Sequence, residues 1–516
     1  MRRIRLVPSA PALAALALLA VPPAAADDAS EPAAAPAGEA PADAPPQGPW
    51  ALPAPDACQP EGGLRRGGPG EDPDARPLPF APGDVLGLDR LETLRAFVPQ
   101  FLWEQRERFF FEGMRLEVGD CFADYGPPEF FDAATARFRG EPALEEDGGL
   151  VDYTAGTPFP PDALDPEDPQ AGLKWLWNVE QRYQGAGFRG KFRMTDLVGR
   201  IGRAEPFLGE IFKILFAHRA DRADDGYTAP GARGKHFVAG GLFYEPFDAR
   251  EYAWRQYRDL AHMTEPERSD DLHAYLPRWR RVRRLNASRV EGIYMPVFSV
   301  GVQADQQLAV GGGSAGGVGA VQGAGGGATV GGTITAKRSG WEGLETRPLL
   351  WDVEVMGLHD VLTPIRAATP VYPTEEDRDF GPWGLSFASD RWDLRRALVL
   401  DMRAKGGGEG DQASRQILYV DLQTFAPLYA ATFDRRDEMT DVGMYAWRWS
   451  GDRPDYPRWP DDPERAIRVL DSVGAAFANL AESGSWRRES WEVVSTPPDD
   501  KVVRRMASVN DLTKGR

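Results

Sequence analysis

The chain has 516 residues, of which 42% are hydrophobic and 10% aromatic, and its formal net charge at pH 7 is −18. This composition is that of a globular protein with enough apolar residues for one large core or two ordinary ones. A strongly acidic molecule is repelled by phosphate backbones and by anionic membrane surfaces, which argues against a nucleic-acid-binding protein.

The first 26 residues, MRRIRLVPSAPALAALALLAVPPAAA, have the pattern of a secretory signal peptide. Three arginines precede a short apolar run, and small residues with an A-x-A cleavage site follow it. An uncleaved anchor is disfavoured because the apolar run is too short to span a bilayer, and no later stretch has the length of a membrane helix. Removing residues 1–26 takes away three arginines and no acid, so the mature net charge is −18 − 3 = −21. We therefore expect a periplasmic protein without a transmembrane segment.

Residues 27–76 are rich in alanine, proline, glycine and acids, and they are predicted to form a flexible, disordered tether. Cys58 lies in this tether, and Cys121 is the only other cysteine. An oxidising compartment permits the two to pair, but two free thiols are equally compatible with the sequence. A glycine-rich run at residues 310–333 is predicted to be a flexible insertion, and it lacks the lysine of a phosphate-binding loop. Residues 77–516 are otherwise predicted to form a single domain.

Three amphipathic helices are predicted from apolar residues at helical spacing. Their apolar stripes consist of Leu91, Leu94 and Val98; of Leu173, Leu176, Val179 and Tyr183; and of Ile467, Leu470, Val473, Phe477 and Leu480. Pro99 ends the first helix, and the segment RERFFFEGMRLEV after it is predicted to be a strand. The pairs Asp168-Pro169 and Asp462-Pro463 suit the start of the second and third helices, because aspartate caps a helix and proline fits its first turn.

From Gly187 onward, much of the chain consists of short runs rich in aromatic and β-branched residues, separated by glycine, proline and aspartate. Ten such runs are predicted to be strands: residues 188–198, 235–247, 251–260, 275–285, 292–300, 349–358, 395–404, 415–424, 426–434 and 442–450. Many closely spaced strands favour a large antiparallel sheet over alternating strands and helices. The predicted fold class is mainly β with α, a large antiparallel curved sheet packed against a few amphipathic helices.

No motif for catalysis or for a cofactor is found. The five histidines, His218, His236, His262, His273 and His359, lack the spacing of an H-E-x-x-H helix, although distant histidines can converge in a fold. The G-x-S-x-G motif of serine hydrolases is absent, and the aspartate-rich segments lack the spacing of calcium loops. Carboxylate pairs for glycoside chemistry stay open, since their separation is a property of the folded chain. We therefore predict no catalytic residue, no metal ligand and no cofactor.

Aromatic residues within the predicted strands can line a hydrophobic cavity, or they can simply fill the core. The arginine-rich run RWRRVRR at residues 278–284 is predicted to lie on a strand, with one side rimming the cavity to hold an anionic head group and the other pairing with acids on neighbouring strands. The predicted ligand-binding residues are Tyr252, Trp254, Trp279, Arg281, Arg283, Trp351 and Tyr419. A nucleic-acid partner is excluded because the rest of the chain offers no broad basic surface.

Several segments, taken in order, resemble a known family: VDYTAGTPFPP, DPQAGLKWLWNVEQRYQGAG, REYAWRQY with YLPRWRRVRRLNA, and RQILYVDLQTFAPLYAATFDRRDEM. The family is an uncharacterised secreted one, catalogued as domain of unknown function 1329, and the resemblance covers roughly residues 82–516. It is similar in architecture to the outer-membrane lipoprotein carriers and receptors of the LolA/LolB type. The resemblance implies an incomplete antiparallel barrel closed on one side by helices, with an interior that accepts acyl chains. It also implies a periplasmic protein linked with exporters of the resistance-nodulation-division type, and it supplies no catalytic residues.

The leading hypothesis from the sequence is a periplasmic binding or carrier protein for a hydrophobic, lipid-like ligand, buried between the sheet and its helices. The alternative is a structural or adaptor partner of an exporter or outer-membrane protein, with its interior filled by side chains. An enzyme acting on lipids or glycans has the least support, since no nucleophile, metal or cofactor motif is present.

Overall fold

The computed structural model describes residue 50 and residues 78–198, 202–203, 206–225, 227–247, 249–285, 292–296, 345–365, 379–407, 413–480 and 485–513. The predicted signal peptide and glycine-rich insertion lie outside these residues, and so does the predicted tether apart from Trp50. Trp50 is buried, its indole N–H donates to the carbonyl of Leu164 at 3.1 Å, and its ring packs edge-on against Trp175. Within the described residues, no helix has the length and apolar character needed to cross a membrane.

The described residues contain twenty strands, most of them in one sheet. They are β1 (Val85–Leu86), β2 (Leu116–Cys121), β3 (Ala143–Leu144), β4 (Leu150–Val151), β5 (Gly187–Val198), β6 (Gly202–Arg203), β7 (Phe207–Leu215), β8 (Lys235–Glu245), β9 (Ala253–Asp259), β10 (Asp271–Leu276), β11 (Arg281–Arg284), β12 (Trp351–Thr363), β13 (Arg391–Ala404), β14 (Arg415–Asp421), β15 (Pro427–Phe433), β16 (Met439–Trp449), β17 (Arg458–Trp459), β18 (Asp462–Ala466), β19 (Leu470–Asn479) and β20 (Ser485–Val494).

Helices are few and short in the same part of the chain. The α-helices are α1 (Gln100–Glu104), α2 (Arg106–Phe109), α3 (Glu129–Arg137), α4 (Ala171–Glu180) and α5 (Asp500–Met506). Short 3-10 helices lie at Leu88–Phe97, Pro161–Ala163, Ala220–Asp225, Leu260–Met263, Pro277–Trp279, Pro348–Leu350, Lys405–Gly407, Ser450–Asp452 and Val509–Thr513.

A single sixteen-stranded sheet dominates the structure. Its strand order is β1-β2-β13-β14-β15-β16-β19-β20-β5-β7-β8-β9-β10-β11, with β12 paired to β13 and β6 paired to β5. Neighbouring strands are antiparallel, except that β2 runs parallel to β13. The path ends at β1 and β11, so the sheet is not closed within the described residues. The predicted fold class, mainly β with a large sheet and few helices, is confirmed.

Helix α4 lies against strand β12. The contact is close at Gly172, where an added Cβ would come within 2.1 Å of the carbonyl oxygen of Val353. Trp175, Leu176 and Val179 of the helix are fully buried. This close approach holds the amino end of α4 against β12, and Glu180 is the last residue of the same helix.

The sheet is covered on both faces where β7, β8 and β9 lie. The main core packs on one face and contains Phe237, Ala239 and Trp254. A second cluster packs on the other face, where Val503 of α5 contacts side chains such as Val238 and Tyr257. Strands buried on both faces lose the alternation of apolar and polar residues, as in β8, which is buried at most of its positions.

The predicted third helix is wrong. Asp462–Ala466 forms β18, and the apolar stripe from Leu470 to Phe477 lies in β19, between β16 and β20. This segment, LDSVGAAFAN, is buried on both faces of the sheet, so apolar residues occur on either face without strict alternation. The helical spacing of its large apolar residues is therefore coincidental. Strands β7 and β20 were not predicted, because neither has a run of alternating apolar residues long enough to stand out.

The second predicted helix is confirmed as α4, although it begins at Ala171, three residues after Asp168. The first predicted helix is a 3-10 helix, Leu88–Phe97, and Pro99 does not end helical structure, because α1 and α2 follow it. The strand predicted over 106–118 is therefore reduced to its last residues, in β2.

The cysteines and the segment at residues 292–300 were also subjects of sequence predictions. Cys121, at the end of β2, is buried and disulfide-bonded, while Cys58 lies outside the described residues. The strand predicted over 292–300 is absent from its described part, 292–296. There the backbone bonds to side chains of β9 instead, since Gln256 accepts from the N–H of Tyr294 at 2.7 Å and donates to the carbonyl of Gly292 at 3.2 Å.

Candidate functional site

Four of the seven predicted ligand-binding residues are packed into the main core. Tyr252, Trp254 and Trp351 are at most 1% exposed, and Tyr419 is 5% exposed. The indole N–H of Trp254 donates to the carbonyl of Tyr294 at 2.8 Å. The other three residues, Trp279, Arg281 and Arg283, are exposed at the last hairpin of the sheet. The predicted set therefore divides between the interior and one edge of the sheet.

The arginine-rich run is a hairpin and not the single strand that was predicted. Strand β10 ends at Leu276, the 3-10 helix Pro277–Trp279 makes the turn, and Arg280 has a left-handed φ of 51°. Pro277 has no N–H for a sheet, and the left-handed residue reverses the chain, so the run cannot stay extended. Strand β11 then returns along β10.

The register places part of the predicted set on one face of the sheet. Arg283 pairs with Ala274, and Ala274 pairs with Trp254 on the other side of β10. Paired residues of neighbouring strands share a face, and alternate residues of one strand do as well. Arg281, Arg283 and Trp254 therefore lie on the same sheet face, which is the face of the main core.

A second turn lies at the same end of the sheet. Ala253, the first residue of β9, pairs with Leu242 of β8 on one side and with Tyr275 of β10 on the other. The β8–β9 turn and the β10–β11 turn therefore project from the same end of these strands. Tyr244, 38% exposed, lies near the end of β8, and Phe247, 87% exposed, lies in the turn that follows.

We name this surface the aromatic–arginine end. It consists of Tyr244, Phe247, Trp279, Arg250, Arg280, Arg281 and Arg283, all of them exposed. The sequence of the same two segments contains three acids, Glu245, Asp248 and Glu251, so the four arginines outnumber them. The guanidinium of Arg283 lies over the ring of Trp279, 5.5 Å from its centroid. Rings beside arginines suit the boundary between water and lipid, because guanidiniums bind phosphates and rings enter the apolar region.

Exposed apolar side chains are otherwise rare in the described part of the chain. The large ones are Val85, Leu88, Tyr244, Phe247 and Trp279, and the three aromatic ones belong to the aromatic–arginine end. Val85 and Leu88 lie at β1, the other end of the strand order. Sequence reasoning selected Trp279 and its neighbouring arginines, but it missed Phe247, which lies in the turn after β8.

A buried ionic cluster lies beneath the carboxyl end of α4. Arg258 of β9 is fully buried, and its guanidinium donates to Asp270 at 3.2 and 3.3 Å, to the carbonyl of Thr346 at 3.2 Å and to Glu180 at 3.5 Å. Burial alone would raise the pKa of Glu180, but the charge of Arg258 and the hydrogen bond from the backbone N–H of Thr346 help to hold that pKa well below its usual range. Glu180 is therefore an anion in the interior.

The remaining charges around this cluster are also paired. Lys213 lies 2.5 Å from Glu345, and both side chains are at most 2% exposed. Arg347 donates to Asp270 at 2.8 Å. Pairing of this kind is required, because an isolated charge in a low-dielectric interior costs several kcal/mol.

Three of the five histidines converge beside Glu180. The rings of His236 and His262 stack with centroids 5.2 Å apart, and His218 lies edge-on to His236 at 5.7 Å. Glu180, His236 and His262 each offer a potential ligand atom, and these atoms lie within 4.8 Å of one another. Burial lowers the pKa of both His236 and His262, so the two imidazoles are neutral at pH 7. No local pattern in the sequence indicates this group, because its members are far apart in the chain.

A small pocket opens next to the ionic cluster. Its empty space, about 490 Å³ with the open solvent at its mouth included, is lined by charged residues such as Arg182, Glu345 and Asp471 and by apolar ones such as Phe188 and Trp447. None of the seven predicted ligand-binding residues lines it. The pocket is therefore separate from the aromatic–arginine end.

Asp471, in the wall of this pocket, has a marked pH dependence. Burial raises its pKa to about 6, although the hydroxyls of Tyr456 and Ser495 donate to it at 2.6 and 2.7 Å. A carboxyl whose pKa is higher in the folded than in the unfolded state stabilises the fold at low pH, and this contribution is lost as the pH rises through about 6.

We expect Asp471→Asn to remove this pH dependence. Relative to the natural chain, the variant should gain stability between pH 4 and pH 7 by an amount on the order of 3 kcal/mol, since each pKa unit corresponds to about 1.4 kcal/mol. Denaturant unfolding across this pH range measures the difference. Asp461→Asn, at a side chain that is 74% exposed, is the control and should show no such change. Parallel pH profiles for the natural chain and Asp471→Asn would contradict the assignment.

Comparison with protein-family models gives a match for part of the chain. The model of the family described as "Protein of unknown function (DUF1329)" matches residues 107–292. No match is found among curated proteins. The matched region contains all the segments that suggested this family except RQILYVDLQTFAPLYAATFDRRDEM, which begins at Arg415.

Solved structures give distant similarities. A DUF1329 family protein from Desulfovibrio piger is 15% identical, with 64% of this chain and 93% of that chain covered and a TM-score of 0.36. A putative outer membrane lipoprotein-sorting protein domain from Vibrio parahaemolyticus is 12% identical, with 67% and 100% covered and a TM-score of 0.36. A LolA superfamily protein from Nitrosomonas europaea is 10% identical, with 65% and 96% covered and a TM-score of 0.28. Residues 107–292 of this chain match the DUF1329 family model, the family that its sequence motifs predicted.

Proposed function

We propose that this chain is a periplasmic, non-catalytic carrier of a lipid-like ligand, and that it meets the lipid source or acceptor through the aromatic–arginine end. The single observation that supports the proposal is the position of Phe247 and Trp279. These two large rings are 87% and 42% exposed, and they project from one end of the sheet among arginines.

The exposed rings favour a lipid surface over water. A ring in water loses the favourable free energy of burying its apolar area, which is about 25 cal/mol for each Å². A single exposed ring is ordinary in a folded domain, but two large rings on two turns that project from the same end of a sheet favour a contact site. Entry of Phe247 and Trp279 into the head-group region would recover this free energy.

The arginines supply the electrostatic part of the contact. Arginine near an anionic lipid surface contributes about 1 kcal/mol, and this attraction falls off within a Debye length of about 8 Å at physiological ionic strength. The formal net charge of −18 belongs to the whole chain, and most of it is distributed outside this surface. At physiological salt, the local arginines therefore outweigh the repulsion from distant acids.

The route of a ligand follows the face that Arg281, Arg283 and Trp254 share. In this proposal the arginines hold an anionic head group, and the apolar part of the ligand lies along the core face of β9 and β10 towards Trp254. Four of the predicted rings fill this interior in the described structure, so loading requires an outward displacement of the elements that cover the face. The predicted ligand-binding set stays a proposal on this basis.

Extraction of the protein tests the carrier function. The full chain is purified without detergent from the periplasm of a bacterial host, extracted with organic solvent and analysed by mass spectrometry. We expect a lipid-like compound at close to one molecule per chain. The variant Trp254→Ala, which removes the ring on the shared face, should alter the recovered amount, whereas Val85→Ser should not. An extract without stoichiometric lipid, from folded protein at normal yield, would count against a carrier.

A second function is favoured by the burial of Tyr252, Trp254, Trp351 and Tyr419. If these rings only fill the core, the aromatic–arginine end serves to dock the chain on a membrane export system or an outer-membrane protein. This adaptor function predicts an empty extract together with specific co-purification of a membrane protein. The carrier predicts bound lipid whether or not such a partner is present.

A further inference from the structure

The buried group formed by Glu180, His236 and His262 has the composition of a metal site. The three residues come from separate elements: the last residue of α4, the second residue of β8, and the 3-10 helix Leu260–Met263 after β9. Each is 3% exposed. Their potential ligand atoms lie within 4.8 Å of one another. We propose that Glu180, His236 and His262 bind one divalent transition-metal ion, with zinc as the preferred ion.

Unsatisfied nitrogen atoms point to a missing ligand. Within the described structure, Nδ1 of His236 and Nε2 of His262 are buried and have no hydrogen-bond partner. Buried polar atoms almost always have a partner, and each exception requires an explanation. Nε2 of His262 faces Oε1 of Glu180 at 3.7 Å, which is too long for a hydrogen bond. An ion between these atoms would satisfy both nitrogens and the carboxylate.

The tautomer of His262 is the one that a metal ligand needs. Its Nδ1 lies 2.7 Å from the carbonyl oxygen of Asp259. A carbonyl only accepts, so Nδ1 carries the proton and Nε2 keeps its lone pair towards Glu180. Histidines that bind metals commonly donate their other ring N–H to a backbone carbonyl in this way. The structure therefore presents His262 in a form ready for coordination.

Glu180 keeps one oxygen available on the side of the histidines. Its Oε2 accepts from the backbone N–H of Thr346 at 2.5 Å and from the hydroxyl of that residue at 3.2 Å. Among the described residues, its Oε1 has only the long contact with Arg258, at 3.5 Å, besides that with His262. The bonds to Thr346 thus hold the carboxylate in place while Oε1 faces the imidazoles.

The nearby cations do not exclude a metal ion, because carboxylates pair with them. Arg258 and Arg347 both donate to Asp270, and Lys213 pairs with Glu345. The set of two neutral imidazoles and one carboxylate is the His₂Glu set that zinc accepts, with a fourth position left for another ligand. Zinc bonds of about 2.1 Å would bring the ligand atoms to about 3.4 Å from one another, so small rotations of the side chains complete the site.

The ion would have a structural effect on the fold. Glu180 belongs to α4, whereas His236 and His262 belong to the β8–β9 region of the sheet. A metal ion at this point would join the helix to the sheet across the buried ionic cluster. This inference is independent of lipid binding, since the group lies in the interior and the aromatic–arginine end lies at the surface.

Metal titration of the untagged full chain tests the proposal. The protein is freed of metal with a chelator, kept under non-reducing conditions because Cys121 is disulfide-bonded, and titrated with Zn²⁺ by calorimetry and with Co²⁺ by visible absorption. We expect one ion per chain and the intense visible bands of a tetrahedral cobalt site. We also expect bound Zn²⁺ to raise the Tm, because an ion that binds only the folded state stabilises it.

Variants assign the ligands. His236→Gln and His262→Gln should each weaken Zn²⁺ binding by about 100-fold or more, since loss of even an outer partner of a ligand costs about 10- to 100-fold. His359→Gln is the matched control, because His359 is a buried histidine outside the group and its Nε2 bonds to the carbonyl of Ala96 at 2.9 Å. Circular dichroism confirms that each variant is folded.

Two results would overturn the metal site. The first is no stoichiometric binding of Zn²⁺ or Co²⁺ by the natural chain at micromolar concentration. The second is a loss of affinity in His359→Gln as large as in the two ligand variants. If a ligand variant does not fold, zinc X-ray absorption of the natural chain decides: two nitrogen ligands support the site, and a shell of oxygen atoms alone contradicts it.

Discussion

Replacing Arg258 by methionine is expected to lower the free energy of unfolding by about 3 to 5 kcal/mol, because removal of one partner from a buried ionic cluster leaves the other charges uncompensated. Arg258 is fully buried, and its guanidinium lies between Asp270 and Glu180. Methionine fills a similar length with apolar atoms but donates no hydrogen bond. The carbonyl of Thr346 would lose its donor as well.

The size of this effect follows from burial. In water a carboxylate that loses its partner is solvated again, and exposed ion pairs contribute only about 0 to 1 kcal/mol. Asp270 is 1% exposed and Glu180 is 3% exposed, so water does not replace the guanidinium. Arg347 still donates to Asp270, so this carboxylate keeps one partner in the variant. The remaining partner limits the expected loss of unfolding free energy to about 3 to 5 kcal/mol.

Arg268→Met is the matched control. Arg268 donates to Asp259 at 2.6 Å, but its side chain is 48% exposed, so its loss is expected to cost far less than the loss of Arg258. Reversible denaturant unfolding of both variants measures the difference. Equal, small losses for Arg258→Met and Arg268→Met would show that the cluster is not the compact ionic centre described above.

Loss of the aromatic–arginine end is expected to abolish most binding to anionic lipid. The double variant Phe247→Ser with Trp279→Ser should weaken binding to vesicles of phosphatidylglycerol and phosphatidylcholine by about 100-fold, if each ring contributes about 1.4 kcal/mol on insertion. The double variant Arg281→Gln with Arg283→Gln should weaken it by about 30-fold, from about 1 kcal/mol for each arginine. Co-sedimentation at 0.15 M salt measures both.

Controls separate this surface from general effects of charge and hydrophobicity. Arg233 precedes β8 at the opposite end of that strand, and Arg504 lies on α5; both are exposed. The double variant Arg233→Gln with Arg504→Gln removes the same charge and should bind as the natural chain does. Val85→Ser with Leu88→Ser removes two exposed apolar side chains at β1 and should also leave binding unchanged.

The salt dependence distinguishes the two contributions. Higher salt screens the arginines, so binding of the natural chain should weaken, while the contribution of the rings remains. The arginine variant should therefore show less salt dependence than the ring variant. Equal binding to vesicles of phosphatidylcholine alone would show that the arginines take no part.

The sequence predicted the sheet well where a strand consists of one run of β-branched and aromatic residues between glycine, proline or aspartate breaks. Strands β8, β9 and β14 lie within the predicted segments. The prediction failed at β19, because its burial on both faces removes alternation, and an Asp-Pro pair before it resembles a helix start. It failed at Arg280 because a left-handed turn residue carries no signal when it is arginine.

The candidate sites differ in how far the sequence could predict them. Trp279, Arg281 and Arg283 were selected from a local pattern, which the hairpin preserves although its shape differs. The group of Glu180, His236 and His262 depends on contacts between α4, β8 and the segment after β9, and no spacing in the chain records such contacts. Phe247 was missed because a single phenylalanine near a proline predicts a strand end as readily as a contact surface.

Hydrogen–deuterium exchange with and without anionic vesicles tests the central claim most directly, because it reports where the chain meets lipid. The account predicts slower exchange in peptides that cover residues 244–252 and 276–284, the two turns of the aromatic–arginine end, and unchanged exchange in the β15–β16 turn at residues 434–438. Unchanged exchange in both turns at saturating lipid, or protection that appears only elsewhere in the chain, would contradict it.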